Sequence, residues 1–163
     1  MARTKAPLVL VRADERAEEE SPRGDVVLGL DLQLPDDTVI GFAFDAAARR
    51  GGSLRVVHGW SLPPYYGYGG ALDAGLNSEL DAQAQRGLAE ALRPWQGKFP
   101  GVEAHGQVVV GSAASHLVDA SRDAALVVVG RRSRRSHAGP HVGPVAQAVL
   151  HHAMAPVAVV PHD

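Results

Sequence analysis

The segment from residue 130 to residue 144 carries the residue types best suited to binding an anion. Its fifteen residues include three glycines, four arginines and two histidines, the charged or titratable ones being Arg131, Arg132, Arg134, Arg135, His137 and His141. A helix is predicted to begin at Pro144, and a helix start presents free N–H groups and partial positive charge that suit phosphate. Arginine adds bidentate contacts to phosphate oxygens. The segment therefore predicts a phosphate-binding loop or, alternatively, a solvated basic loop.

A carboxylate stands directly after the first strongly apolar run, Val26–Leu30. In an open parallel sheet, ligands bind beyond the carboxyl ends of the strands. Asp31 is therefore a candidate acceptor for a ribose or a base, and it is equally suited to accept a hydrogen bond at the start of the next helix. The Val56–Val57 edge of the following run would add backbone groups to the same site.

Motifs of the common nucleotide-dependent and hydrolytic enzymes do not occur in the chain. The sequence contains no Gly-x-Gly-x-x-Gly, no Gly-x-x-x-x-Gly-Lys-Ser/Thr, no His-Glu-x-x-His and no Gly-x-Ser-x-Gly. His151 and His152 are adjacent on a predicted helix, so they point apart and form no metal pair, and His152 is expected to pack against the core. These patterns favour a protein without catalysis and without a metal site.

Charge and composition exclude several other classes. The chain has 163 residues, a formal net charge of −2 and no cysteine. A near-neutral chain makes a poor nucleic-acid coat or membrane-surface protein, and a chain without cysteine holds no disulfide scaffold. No apolar run approaches the roughly 20 residues that cross a bilayer. We expect a cytoplasmic protein with neither nucleic acid nor membrane as a partner.

The periodicity predicts alternating strands and helices. Strands are predicted at Leu8–Val11, Val26–Leu30, Leu54–Val57, 102–110, Ala125–Val129 and Pro156–Val160, and helices from Asp36–Asp37, from Ser78, from Ser112 as N-cap and from Pro144. Runs that are apolar on both faces are typical of parallel strands covered by helices. The order predicts an α/β, Rossmann-like, open five-stranded parallel sheet with helices on both faces. The loop that carries Tyr65, Tyr66 and Tyr68 is expected to be either a lid or a mobile connection.

Two short segments of the chain resemble each other. Residues 6–11 match residues 155–160 in type at an offset of 149 positions. The match is either a coincidence between two apolar strands or a sign that residues 1–24 are the last strand and linker of a preceding repeat. In the second case the domain occupies residues 25–163, and the extra N-terminal strand must pair outside its own original sheet.

The carboxy-terminal blocks resemble a known family. Val127–Gly130, Gly143–Ala153 and Pro156–Val160 are similar to the C-terminal half of a universal stress protein domain, and the resemblance covers about residues 25–161. It implies an adenine-nucleotide-type fold with strand order 3-2-1-4-5. Because tandem copies are common in that family, it also implies the C-terminal domain of a tandem member.

Members that bind ATP carry Gly-x2-Gly-x9-Gly-Ser/Thr after the fourth strand. Gly130 and Gly143 match it, whereas Ser133 and Pro144 replace the second glycine and the hydroxyl residue. Ser133 adds a side chain where backbone should approach phosphate, and Pro144 removes an N–H donor. The resemblance thus implies a degenerate ATP site, with ATP and Mg²⁺ as the cofactor that could bind. Its expected residues are Asp31, Val57, Gly130, Arg132, Ser133, Gly143, Pro144 and Val145.

Two other functions stay open. One is a nucleotide-free regulatory module that forms a homodimer through the last strand, where an exposed apolar edge of Val157, Val159 and Val160 would need a partner. The N-terminal strand could take part in that contact. The other is a small hydrolase or phosphotransferase, for which the sequence offers no recognisable nucleophile and base.

Overall fold

The computed structural model describes residues 6–11, 24–60, 74–132 and 143–162, with the side chains of the second helix described from residue 78. The elements in chain order are β1 (Leu8–Leu10), β2 (Asp25–Gly29), α1 (Asp37–Arg50), β3 (Leu54–Trp60), α2 (Ala74–Lys98), β4 (Ala104–Val110), α3 (Ala113–Ala120), β5 (Ala124–Arg132), α4 (Pro144–His152) and β6 (Val157–His162). Across the described ranges, no helix combines the length and apolarity needed to cross a membrane.

The strands form one sheet in the order β1-β6-β5-β2-β3-β4. Strands β2 to β6 pair in parallel, which confirms the predicted α/β, Rossmann-like class. Among themselves they follow the predicted order. Strand β1, the predicted extra N-terminal strand, adds to the same sheet in antiparallel direction beside β6, so the sheet has six strands and is mixed.

Helices cover both faces of the sheet, and this explains the unbroken apolar runs. Val26 and Leu28 of β2 point towards α1, where they pack with Phe44. Val27, between them, points to the other face and packs with Leu117 of α3. All five side chains are fully buried. Because successive side chains of a strand alternate between faces, a strand covered on both sides must be apolar at every position.

The ends of two helices follow the local sequence signals. Asp36 is the N-cap of α1, and its carboxylate accepts a hydrogen bond from the Thr38 N–H at 2.8 Å. The helix ends at Gly51, which adopts the left-handed conformation with φ 60° that glycine favours. Pro144 occupies the first turn of α4 as predicted, where its missing N–H breaks no helical bond.

Three sequence-based expectations about packing are wrong. Ser112 precedes α3, but its side chain makes no capping hydrogen bond. His152 is exposed, since it falls outside the buried stripe of α4 formed by Ala146 and Val149. The expected exposed edge of the last strand is covered, because β1 pairs along residues 157–159. The side chains of Val157, Val159 and Val160 are only 4%, 6% and 0% exposed, since they pack in the two cores.

An arginine ties together the ends of β2, β3 and β5 that lie opposite the carboxyl edge. The Arg55 side chain lies 3.1 Å from the Asp25 carboxylate and donates a hydrogen bond to Asp123 at 3.0 Å. This hydrogen bond, together with the positive charge, holds the pKa of Asp123 below its ordinary value.

We expect Arg55→Gln to raise the pKa of Asp123 towards its ordinary value. The stability that this contact contributes is present above the ordinary pKa and is lost as the pH falls through the lowered pKa of the folded state. A carboxyl-carbon NMR titration of Asp123 measures the change, with Arg122→Gln as the neighbouring control. An unchanged Asp123 titration in Arg55→Gln would contradict the assignment.

The close approach of β3 to α3 explains why residue 59 is a glycine. A Cβ on Gly59 would lie 2.6 Å from the Ala113 nitrogen and 2.7 Å from its Cα. Because these are backbone atoms, relief requires α3 to move. We expect Gly59→Ala to lower the free energy of unfolding by about 1–3 kcal/mol, the usual cost of overpacking.

The matched control is Gly97→Ala in α2, where a Cβ meets nothing within 4 Å. This exchange should raise the free energy of unfolding by up to about 1 kcal/mol, because alanine loses less backbone entropy in a helix. Urea unfolding measures both variants, and a Gly59→Ala midpoint equal to the unmodified one would contradict the packing argument.

Candidate functional site

The carboxyl ends of β2, β3, β5 and β6 surround a cavity of about 730 Å³. The chain crosses from β2 to β3 on one side of it and from β5 to β6 on the other, so the cavity lies where the strand order reverses. The described residues that line it are Gly29, Leu30, Asp31, Leu34, Asp36, Val39, His58, Gly59, Ala113, Leu117, Val129, Gly130, Arg132, Gly143, Pro144, Val145, Ala146 and His162.

An ion pair crosses the cavity from β5 to the residue after β2. The Arg132 guanidinium donates to a carboxylate oxygen of Asp31 at 2.8 Å, and the other oxygen accepts from the Gln33 N–H at 2.9 Å. The Asp31 side chain is 51% exposed and that of Arg132 is 38% exposed. Since both charges stay in contact with water, separating them is inexpensive. The carboxylate and the guanidinium are therefore both accessible to a ligand.

The first turn of α4 supplies hydrogen-bond donors to the same space. The first helical bond runs from the Gln147 N–H to the Gly143 carbonyl at 2.9 Å. The N–H groups of Val145 and Ala146 therefore have no acceptor within the helix. Both residues line the cavity. Pro144, beside them, contributes no N–H donor.

A buried histidine joins the ends of β2 and β3. The Nδ1–H of His58 donates to the Leu30 carbonyl at 3.0 Å, and the residue is 8% exposed. With the proton on Nδ1, a neutral imidazole offers Nε2 as an acceptor. His58 thus fixes the backbone just before Asp31 and adds a ring to the cavity wall.

A second histidine occupies the β6 side of the cavity. Nδ1 of His162 lies 3.7 Å from the carboxylate of Asp36, the N-cap of α1. The ring lies against Gly130, where a Cβ would come within 2.8 Å of the His162 Nε2 atom. Gly130 therefore makes room for this ring.

The structure brings most of the predicted site together. Asp31, Gly130, Arg132, Gly143, Pro144 and Val145 line the cavity. Ser133, Arg134, Arg135, His137, His141 and the three tyrosines of the long loop lie outside the described residues. Arg131 is 6% exposed and is not among the described cavity residues.

The placement of Val57 in the site is wrong. Its side chain packs in the core under α3 and α4, and its carbonyl accepts a hydrogen bond from the Leu30 N–H at 3.0 Å. The reason is that β3 continues to Trp60, beyond the predicted strand end at Val57, so His58 and Gly59 reach the cavity instead. In the sequence, the polar His58 stands directly after the apolar run Leu54–Val57, and this was the signal that could have identified it as a site residue.

Comparison with known proteins points to one family. The model of the universal stress protein family matches residues 22–161. A universal stress protein of Mycobacterium tuberculosis is 35% identical over 157 residues, which make up 96% of this chain and 52% of the relative. This chain therefore spans about half the length of the curated relatives it matches.

Solved structures of two universal stress proteins have the same fold. One, from Lactobacillus plantarum, has a TM-score of 0.65 at 21% identity, covering 85% of this chain and 98% of that one. The other, from Archaeoglobus fulgidus in complex with dAMP, has a TM-score of 0.59 at 27% identity, covering 84% and 97%.

Removal of the His58 hydrogen bond should weaken the fold at the cavity. We expect His58→Leu to lower the free energy of unfolding by about 1–3 kcal/mol, because the Leu30 carbonyl loses its side-chain donor in a buried place. His58→Asn, whose amide can donate from a similar position, should recover part of the loss. Urea unfolding compares the two variants, and equal losses would mean that the ring packing and not the hydrogen bond matters.

Proposed function

Since this chain belongs to the universal stress protein family, we propose that its cavity binds an adenine nucleotide at low affinity and that the domain serves a stress response by binding rather than by catalysis. The observation that carries the proposal is the grouping of Asp31, Arg132 and the first turn of α4 around one cavity. The similarity to a universal stress protein that was solved with dAMP supports the ligand class.

The α4 side of the cavity suits a phosphate. The N–H groups of Val145 and Ala146 point from the positive end of a helix, and the Arg132 guanidinium lies across the same space. Gly143, where a Cβ would meet nothing within 4 Å, leaves the backbone uncovered at one point of the wall. A phosphate group here would therefore be neutralised by arginine and by helix-terminal donors together.

The β2 and β3 side suits a sugar and a base. The Asp31 carboxylate can accept hydrogen bonds from ribose hydroxyls, and Nε2 of His58 can accept one from an exocyclic amine. Leu34 and Val145 give the rim apolar contact area, with 53% and 36% exposure. The cavity of about 730 Å³ lies within the size range of small-ligand sites, about 300–1,000 Å³.

Two features keep the affinity low. Pro144 removes one N–H donor and a hydroxyl from the place where ATP-binding members of the family carry serine or threonine. In addition, the ligand must separate Asp31 from Arg132, which is the smaller of the two costs, because an exposed ion pair is worth under about 1 kcal/mol. We expect a Kd of about 0.1–1 mM, which is about −4 to −5.5 kcal/mol.

A magnesium ion would enter with the nucleotide. Among the described residues, no group of three potential ligands could hold a metal ion, so Mg²⁺ would be bound by the phosphates of ATP. Hydrolysis needs a nucleophile or an activated water beside a base. The described cavity lining contains no serine, threonine or cysteine that could act as the nucleophile.

A second candidate is a nucleotide-free regulatory module. It is favoured by the same two features, since the ion pair already neutralises Arg132 and Pro144 withholds a donor. In that case the cavity residues serve only to join the ends of the strands.

Titration calorimetry separates the two candidates. The unmodified chain should release or absorb heat with AMP and with ATP, each with and without Mg²⁺, and Arg132→Gln should weaken binding of both nucleotides while adenosine binding changes little. Loss of affinity that is equal for adenosine and AMP would contradict the phosphate role of Arg132. If millimolar nucleotide produced neither detectable heat nor a shift in melting temperature, the nucleotide-binding proposal would be contradicted and the nucleotide-free module would be supported.

Restoring the missing donors should strengthen binding. Pro144→Ala returns the N–H, and Pro144→Ser returns the N–H and a hydroxyl. Each new hydrogen bond to a charged phosphate is worth about 1.5–3 kcal/mol, so affinity should rise at least about tenfold from the unmodified chain to the serine variant. The control Pro94→Ser replaces an exposed proline inside α2, outside the cavity lining, and should leave affinity unchanged. Equal affinities for Pro144→Ser and the unmodified chain would contradict the account of the weakened phosphate site.

A further inference from the structure

The guanidinium of Arg132 is paired with a carboxylate of the protein itself. It donates to Asp31 at 2.8 Å, a length that is typical of a charge-assisted hydrogen bond from arginine to either a carboxylate or a phosphate. The carboxylate oxygen therefore stands where a phosphate oxygen would accept from the same N–H group. Asp31 thus competes with an anionic ligand for Arg132.

The position of Asp31 is set by its own stretch of backbone. One carboxylate oxygen accepts from the Gln33 N–H at 2.9 Å, a local turn in which an aspartate side chain bonds the backbone two residues further on. The Asp31 carbonyl also accepts from the Leu34 N–H at 3.3 Å. Because these contacts lie within residues 31–34, they hold the carboxylate at the cavity independently of Arg132.

The other charged groups of the described cavity wall do not offset this negative charge. The Asp36 carboxylate caps α1 by accepting from the Thr38 N–H, and its other oxygen lies 3.7 Å from Nδ1 of His162. Among the described lining residues, one arginine thus faces two carboxylates. A free anion such as inorganic phosphate would have to share Arg132 with Asp31, and repulsion between the two negative groups opposes its binding.

Sugar hydroxyls remove this conflict. An ionised carboxylate has about four lone-pair positions, and the described contacts of Asp31 use two of them, one for Arg132 and one for Gln33. The two vicinal hydroxyls of a ribose can donate to the positions that remain. A ligand with both groups therefore compensates the carboxylate while its phosphate pairs with the guanidinium, whereas a bare anion leaves the carboxylate uncompensated.

We propose that Asp31 makes this cavity select ribonucleotides over free anions. The inference rests on the proposed function, because it assigns a selectivity to the same cavity. The carboxylate disfavours an anion that brings no hydroxyl donors, and it binds the ribose of an anion that does. Removal of its charge should strengthen the binding of phosphate and weaken the contribution of the ribose hydroxyls. A residue that only supported the shape of the cavity would weaken both.

Asp31→Asn tests the selection against anions. Asparagine keeps the size of the side chain and an oxygen that can accept from the Gln33 N–H, but it carries no charge. Inorganic phosphate at pH 8 should bind about two- to fivefold more tightly, since an exposed ion pair is worth up to about that factor. Chemical shifts of the Val145 and Ala146 amides in an NMR titration measure the Kd. A phosphate affinity equal to or below that of the unmodified chain overturns the proposal.

The matched control is Asp37→Asn. Asp37 lies in the first turn of α1, is exposed, and is outside the described lining of the cavity. The exchange removes the same charge from the same region of the chain, and it should leave the phosphate affinity unchanged. Equal gains in the two variants would mean that net charge controls anion binding, and would contradict the role assigned to Asp31.

AMP and 2′,3′-dideoxy-AMP test the contact with the hydroxyls. The two ligands carry the same base and phosphate and differ only in the vicinal hydroxyls of the sugar. The unmodified chain should bind AMP at least about tenfold more tightly, because a hydrogen bond to a charged group is worth at least that factor. In Asp31→Asn the ratio should fall to about one- to threefold. Equal affinities in the unmodified chain overturn the proposal, and this comparison requires no variant to fold.

The two experiments also separate this inference from the proposed function. If the unmodified chain binds AMP but Asp31→Asn gains no affinity for phosphate, the selectivity of Asp31 is refuted and nucleotide binding stands. If the unmodified chain binds neither AMP nor ATP, the proposed function is refuted, and the phosphate titration still decides whether Asp31 opposes anions at Arg132.

Discussion

The parallel pairing of β2 with β5 in the middle of the sheet is the constraint on which the site depends. From these neighbouring strands the chain departs in opposite directions, to β3 on one side and to β6 on the other. The loops that follow the two strands therefore separate and leave a cavity between them. Both strands are buried on both faces, so their position is held by two cores at once. The chemistry of the cavity is then decided by a few residues just past the strand ends, of which Asp31 and Arg132 are the two that meet.

The ion pair between Asp31 and Arg132 sets the electrostatic character of the cavity. A carboxylate suited to a ribose and a guanidinium suited to a phosphate neutralise each other until a ligand offers both groups at once. Pro144 further reduces the donors at the start of α4, while the N–H groups of Val145 and Ala146 remain. Under the proposed function, such a cavity would bind a nucleotide with reduced strength. A family of binding domains can alter its ligand response through such single residues without altering the sheet.

The sequence predicts the architecture well and the site in part. Apolar runs located the buried strands, since a strand covered on both faces has no polar position, and Asp36 and Gly51 marked the ends of α1 through local backbone chemistry. The exposure of His152 and the identity of the strand that covers β6 depend on tertiary contacts that no local pattern contains. The ion pair between Asp31 and Arg132 joins residues 101 positions apart. Such a pairing follows from the strand order, and the expected role of Val57 failed because the strand end was placed too early.

The central claim is that one nucleotide contacts the residue after β2, the end of β5 and the first turn of α4 together. The most direct measurement is a proton–nitrogen NMR correlation spectrum of the chain during titration with AMP, read at backbone amides and at arginine side chains. The account predicts that the amides of Val145 and Ala146 and the Arg132 side chain shift in step with one another, while the amides along the outer edge of β4 stay in place. Shifts confined to other surfaces, or no shift at saturating AMP, would contradict it.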